Sequence, residues 1–205
     1  MSSNSRSKVA TNAAIGCAVA VTLLGLGCAQ PPEPAATSAP PAQSPVDRGR
    51  YLVTMGGCHD CHTPKTFGPA GPEPDMTRQL SGQPANDKVP PMPPAGVLGP
   101  DAWGAVGNNH FTAWAGPWGV SFSRNLTPDV ATGLGSWTED MFIKTIRDGK
   151  HQGEGRPLLP PMPWQMYRQA TDDDLKAIFA YLKSIPAINN PVPEPIAPAG
   201  PPAGQ

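Results

Sequence analysis

Cys58-His59-Asp60-Cys61-His62 is the one run in this sequence whose residue types and spacing carry a chemistry of their own. Two thiols at this separation can add across the two vinyl groups of one porphyrin, and the imidazole that follows can reach its iron from the proximal side. A C-x-x-C-H run therefore reads as a covalent haem site. Two other chemistries use part of the pattern. A thioredoxin-like redox pair sits in a βαβ unit, and this chain shows no strong strand runs. A tetrahedral zinc site needs a second ligand pair, yet His59, His110 and His151 stand unpaired and no cysteine follows Cys61. One covalent haem c is the expected cofactor, with His62 on the iron.

A five-coordinate haem binds gases or peroxide, whereas a six-coordinate one suits electron transfer, so the second axial ligand matters. Met162 lies in Leu159-Pro160-Pro161-Met162-Pro163-Trp164, where prolines fix φ and lower the entropy lost in holding a thioether on iron. Met92, in Pro91-Met92-Pro93, is the rival. Met166 reads as packing, and His110 and His151 as loop histidines. Thioether ligation is well attested for this cofactor, and Met162 is the expected ligand.

Three helices must position these residues. The first follows Ser44-Pro45-Val46-Asp47, with Ser44 as cap and Pro45 at the first helical position, and stops at Gly56-Gly57 just before the motif. The second opens on a capping box, Ser136-Trp137-Thr138-Glu139, and ends at Gly149. In the third, Thr171 caps, three aspartates fill the first turn, and Leu175, Ile178, Phe179 and Leu182 fall at i, i+3, i+4 and i+7 before Pro186 ends it. Residues 63–118 break this regularity with a proline or glycine every few positions, and read as a folded-back excursion packed on its own aromatics. The expected fold is all-α, with three main helices, this long Pro/Gly-rich insertion and disordered Pro-rich tails.

The ends of the chain speak to location. Residues 1–27 carry Arg6, Lys8, no acidic residue and an apolar stretch from about Ala13, which reads as an export signal. Leu24-Gly25-Leu26-Gly27-Cys28 is similar to a bacterial lipoprotein signal, which makes Cys28 the expected lipidation site; cleavage after Ala29 is the alternative. A Pro-rich tether would then run to residue 44, the haem domain over 45–188, and a second Pro-rich tail over 189–205. The cysteine count agrees, because Cys17 leaves with the signal and no disulfide remains to be made. Loss of the signal leaves 13 basic against 16 acidic residues, a net charge of −3. That balance argues against nucleic acid as a partner.

Over roughly residues 44–187 the chain resembles the class I c-type cytochromes. More narrowly, residues 116–129 (GPWGVSFSRNLTPD), Gly133-Leu134-Gly135-Ser136-Trp137, and Pro160-Pro161-Met162-Pro163-Trp164 with Tyr167 look like the cytochrome c subunits of membrane-bound bacterial alcohol, aldehyde and gluconate dehydrogenases. Those subunits usually carry several haem domains; this chain has one motif. The resemblance implies that the first and last helices cross beside the haem, with Tyr51 and Leu52 facing Phe179 and Leu182. It also implies that Arg124 and Asn125 lie near the haem propionates, where Arg124 could pair with a carboxylate. Trp118 and Trp164 are expected to wall the haem. The function expected is an exported electron carrier, periplasmic or at the cell surface, held to the membrane by lipid and exchanging electrons with a dehydrogenase or oxidase. The alternative is an electron-transfer subunit or ligand-binding haem domain of a membrane-associated dehydrogenase complex. No nucleophile, acid/base pair or phosphate loop stands out, so neither an enzyme nor a small-molecule substrate is expected.

Overall fold

The computed structural model describes residues 43–198. The export signal, Cys28, the tether up to residue 42 and residues 199–205 lie outside the described residues.

Helix α1 (Pro45–Met55) starts where Ser44 Oγ accepts the amide of Asp47 at 3.1 Å. Helix α5 (Asp172–Ser184) starts where Thr171 Oγ1 accepts the amide of Asp174 at 3.1 Å. The two helices cross at Gly49, where a Cβ would stand 1.9 Å from the carbonyl oxygen of Ala177. Only glycine permits backbones to approach so closely. Val53, one turn on, is fully buried, and Arg48 Nε donates to Asp174 Oδ1 at 3.0 Å beside the crossing. Tyr51 does not face α5 as expected; it is half exposed, with the Arg48 guanidinium over its ring. The crossing is made by the i, i+4 pair Gly49 and Val53 because close approach demands a small residue rather than a ring.

A third long helix, α3 (Glu139–Asp148), packs Phe142 on Phe179 of α5 at a centroid distance of 5.3 Å. Its cap is Thr138, whose Oγ1 accepts the amide of Met141 at 3.2 Å. Ser136 belongs to the preceding turn, so the expected capping box begins two residues too early. Two short helices complete the set: α2 (Cys58–His62) and α4 (Trp164–Tyr167). Between α1 and α2 the chain turns at Gly57, whose φ of 65° is left-handed.

The all-α expectation is overturned by five strands in two antiparallel sheets among the described residues. Strands β1 (Lys65–Gly68) and β2 (Gly71–Pro74) form a hairpin in register Lys65↔Pro74 to Gly68↔Gly71. Strands β3 (Val106–Gly107), β4 (Ala113–Gly116) and β5 (Gly119–Phe122) form the second sheet in that order. The strands are two to four residues long and two of them contain proline or open on glycine, too short for period-2 alternation to show. The stretch 63–118 is thus more than a loop: it carries four of the five strands.

The expectation of a disordered C-terminal tail fails over residues 189–198. This segment, here called the strap, lies on the domain: Val192 is 7% exposed, and Ile196 exchanges both backbone hydrogen bonds with Val120 of β5 at 2.8 and 2.9 Å. Asn190 explains the docking. Its Nδ2 donates to the carbonyls of Ser81 and Gln83 and its Oδ1 accepts the amide of Ala85. A segment of this composition cannot bury a core of its own; it is held by these side-chain hydrogen bonds, the Ile196–Val120 backbone pair and Val192 seated against Ala113, Val120 and Phe122. Among the described residues no helix is long and apolar enough to cross a membrane.

Candidate functional site

Turning at Gly57, the chain sets the motif on α2, and two contacts hold that short helix. Lys65 Nζ donates to the carbonyl oxygens of His59, Asp60 and Thr63 at 3.0, 2.8 and 2.7 Å, satisfying carbonyls that five residues of helix leave free. His62 Nδ1–H donates to the carbonyl oxygen of Arg124 at 2.8 Å. A carbonyl can only accept, so this bond fixes the proton on Nδ1 and leaves the Nε2 lone pair for a metal. Burial pushes the His62 pKa down, favouring the neutral ring that ligation needs. Burial also pushes the Cys58 thiol up to about 11 and raises Cys61. These are protonated thiols, unlike the acidic thiolate of a thioredoxin-like pair. Among the described residues no group of three or more His, Cys, Asp or Glu side chains is gathered to hold a metal ion, so the zinc alternative finds no second ligand pair.

Between α1, α3, α5 and the loop before α4 lies a cavity of about 640 Å³. Folded cores hold few voids larger than a water molecule, and enclosed ligands occupy roughly 300–1,000 Å³, so a space of this size is a place for a guest. Its walls are mainly apolar, with Leu52, Leu126, Leu134, Trp137 and Leu182 among them. Cys58, His62, Arg124, Asn125 and Met162 line it. An adjoining space of about 120 Å³ shares Cys58, His62, Arg124 and Met162 and adds Cys61 and Arg156. A mainly apolar chamber whose lining brings together two cysteines, a tautomer-fixed histidine, a thioether and arginines fits a haem.

The structure separates the two methionines. Met162 is partly buried against the helical core, and its loop is held by Ser121 of β5, whose hydroxyl donates to the carbonyl of Pro160 at 2.6 Å. Met92 is 46% exposed and lines a separate small hollow that includes none of Cys58, His62 and Met162.

No protein-family model matches the chain. Among curated proteins it is 30% identical over 136 residues, 66% of its length, to the gluconate 2-dehydrogenase cytochrome c subunit of Pantoea cypripedii. It is 28% identical over 167 residues, 81% of its length, to the fructose dehydrogenase cytochrome subunit of Gluconobacter japonicus. It is also 30% identical over 148 residues, 72% of its length, to a nicotinate dehydrogenase subunit of Pseudomonas putida. The chain is thus similar to cytochrome c subunits of bacterial dehydrogenases, in keeping with the class I c-type cytochrome resemblance. It spans 22%, 26% and 9% of these three relatives' own lengths.

Around the cavity the remaining expected site residues divide. Arg124 and Asn125 reach the cavity, but the Arg124 guanidinium is engaged by the strap, and both polar atoms of the Asn125 side chain are spent inside the protein, on Thr127, Thr132 and Ile188. Trp164 lines neither space; its ring packs against Gly149, with the Arg168 guanidinium 5.6 Å from its centroid. Trp118 also stays away, donating to Ser121 Oγ at 3.3 Å. Trp137 walls the cavity instead, with His151 edge-on to it at 5.2 Å. Sequence reasoning missed Trp137, Lys65 and Arg156. For Trp137, its place just before an amphipathic helix was a usable signal; for the other two, nothing local distinguishes them from solvated cations.

Proposed function

We propose that the chain is an exported electron carrier holding one haem c, attached through thioethers at Cys58 and Cys61, with His62 and Met162 as axial ligands. The observation that carries this reading is that Met162, far along the chain from the Cys58–His62 motif, walls the same apolar cavity as Cys58 and His62. Bound haem supplies a one-electron couple. The chain's own residues set its terms. Arg124 holds the His62 ring by its carbonyl, and Ser121 holds the Met162 loop, so both ligands are positioned before any electron arrives. A methionine ligand favours a higher potential than a second histidine, and the apolar walls exclude water and disfavour the more charged oxidation state.

The relatives' names make a dehydrogenase the favoured redox partner, with substrate chemistry left to that partner and neither a nucleic acid nor a small-molecule substrate bound here. Membership of a membrane-associated dehydrogenase complex is the second reading, favoured by those same names. Residues 1–27 act as export signal and Cys28 as lipid anchor, with cleavage after Ala29 as the alternative processing. Such processing puts the carrier in the periplasm or at the cell surface. Intact mass after co-expression with a cytochrome c maturation system tests the cofactor: the parent should gain the mass of one haem, and a Cys58→Ala/Cys61→Ala double variant should gain none. A parent with no added haem and no Soret absorption contradicts the proposal.

A further inference from the structure

The strap meets the cavity at two arginines. Arg124 Nη1 donates to the carbonyls of Val192 and Pro193 at 3.2 and 3.1 Å and lies 3.2 Å from Glu194 Oε1. Arg156 Nε lies 3.5 Å from Glu194 Oε2. One carboxylate is therefore shared by two guanidiniums, one on each of its oxygens. The two arginines of this cluster belong to the cavity wall, and Glu194 caps them from the solvent side. Arg124 lines both spaces, Arg156 and Pro195 line the smaller one, and Pro191 and Val192 line the larger. It also borders the proximal histidine, because the backbone carbonyl of Arg124 holds His62 Nδ1.

We propose that Glu194 is a potential-setting residue: its carboxylate, clamped between Arg124 and Arg156, cancels positive charge that would otherwise face the haem, and so lowers the reduction potential. Two uncompensated guanidiniums beside the cavity favour the ferrous state, which carries one positive charge fewer. The carboxylate is largely solvent-facing, at 72% exposure, so water and salt screen its effect and the influence is modest. The strap delivers this charge from outside the helical shell, and its other ties do not depend on it. Asn190 and the Ile196–Val120 backbone pair hold the segment independently of Glu194.

The inference rests on the haem reading above, and the test separates the two. Redox titration of the haem-loaded full chain compares the parent with Glu194→Gln and Arg156→Gln. Glu194→Gln should lower the ferric-to-ferrous ratio at fixed ambient potential about twofold, and Arg156→Gln should raise it by a similar factor. A role confined to holding the strap predicts shifts of one sign, or none, in both variants. Opposite shifts with unchanged amide exchange over residues 190–196 support the proposal; equal or absent shifts in haem-loaded protein overturn it alone. A parent that carries no haem overturns this inference together with the reading it rests on.

Discussion

Where α1 crosses α5 the contact is steric: Gly49 lies against the Ala177 backbone, Val53 fills the core, and Leu175 and Leu182 are almost fully buried. Around the strap and residues 80–132, side-chain hydrogen bonds predominate, beside one small apolar cluster of Val192 with Ala113, Val120 and Phe122. Asn125 binds Thr127, Thr132 and the Ile188 carbonyl, Asn190 binds the backbone at 81, 83 and 85, and Gln83 Oε1 accepts from Thr112 Oγ1 at 2.6 Å. No buried side-chain nitrogen or oxygen lacks a partner among the described residues. The two regions surround one cavity from different sides and hold their shape by different means. Helices burying an apolar stripe need only the right period, whereas short strands and proline-rich loops must satisfy each backbone group individually. The helical side should fail by overpacking or loss of apolar volume, the loop side by loss of single hydrogen-bonding side chains.

The sharpest way to break that contrast is at the crossing itself. Gly49→Val puts two methyl groups against backbone that cannot move aside, and should cost about 3 kcal/mol or more in urea unfolding of the haem-loaded protein. A loss below about 1 kcal/mol would mean that the helices do not approach so closely. Asn125→Ala is the matching cut on the polar side. Asn125 is 2% exposed, and its loss strands the Thr127 amide and takes from the Ile188 carbonyl the closer of its two donors, so a loss of about 2 kcal/mol is expected. Amide exchange should quicken first over residues 125–132 and 188–192, with α1 and α5 protected; uniform loss of protection would erase the distinction between the regions.

Smaller effects sharpen the same boundary. Thr171→Ala removes the cap of α5 and should lower stability by about 1 kcal/mol, with the exchange gain confined to the first turn. The smallest effect is a pH dependence. A hydrogen bond from Arg48 is the first cause holding the Asp174 carboxyl below its usual value of 3.8. A depressed carboxylate contributes stability that is complete above its unfolded pKa and is lost as pH falls through the lower folded one. Arg48→Gln should therefore lower stability at neutral pH by under about 1 kcal/mol, because both side chains are partly exposed, and parent and variant should converge as the pH falls through the depressed folded value. A gap that widens on acidification would contradict the pairing.

What was legible in the sequence follows this division. Caps at Ser44 and Thr171, the stripe Leu175, Ile178, Phe179 and Leu182, and the C-x-x-C-H run each write their structure within a few neighbouring residues, and the helices stand where those signals put them. The choice of Met162 over Met92 for the cavity also rested on local context, a proline-braced loop just before the last helix. The sheets were not legible, because two to four residues cannot show alternation and Pro72 and Pro74 argued against a strand. Nor was the strap, whose order comes from Asn190 reaching back across more than a hundred residues to the backbone of 81–85. At the site, the error at Trp164 and the omission of Trp137 share a cause: ring orientation depends on packing partners, here Gly149 and His151, that spacing does not encode. The Arg124 region does reach the cavity, but its main contribution to the proximal histidine is made by a backbone carbonyl, which any residue type could supply.

The central claim is that His62 and Met162 together hold one haem iron. The ferric absorption spectrum of haem-loaded Met162→Ala, taken beside that of Met92→Ala, tests it most directly. The account predicts that the weak long-wavelength charge-transfer band of thioether-ligated ferric haem is present in the parent, vanishes in Met162→Ala and persists in Met92→Ala. It also predicts rapid carbon monoxide binding only in ferrous Met162→Ala. A band that survives in Met162→Ala and disappears in Met92→Ala would contradict it.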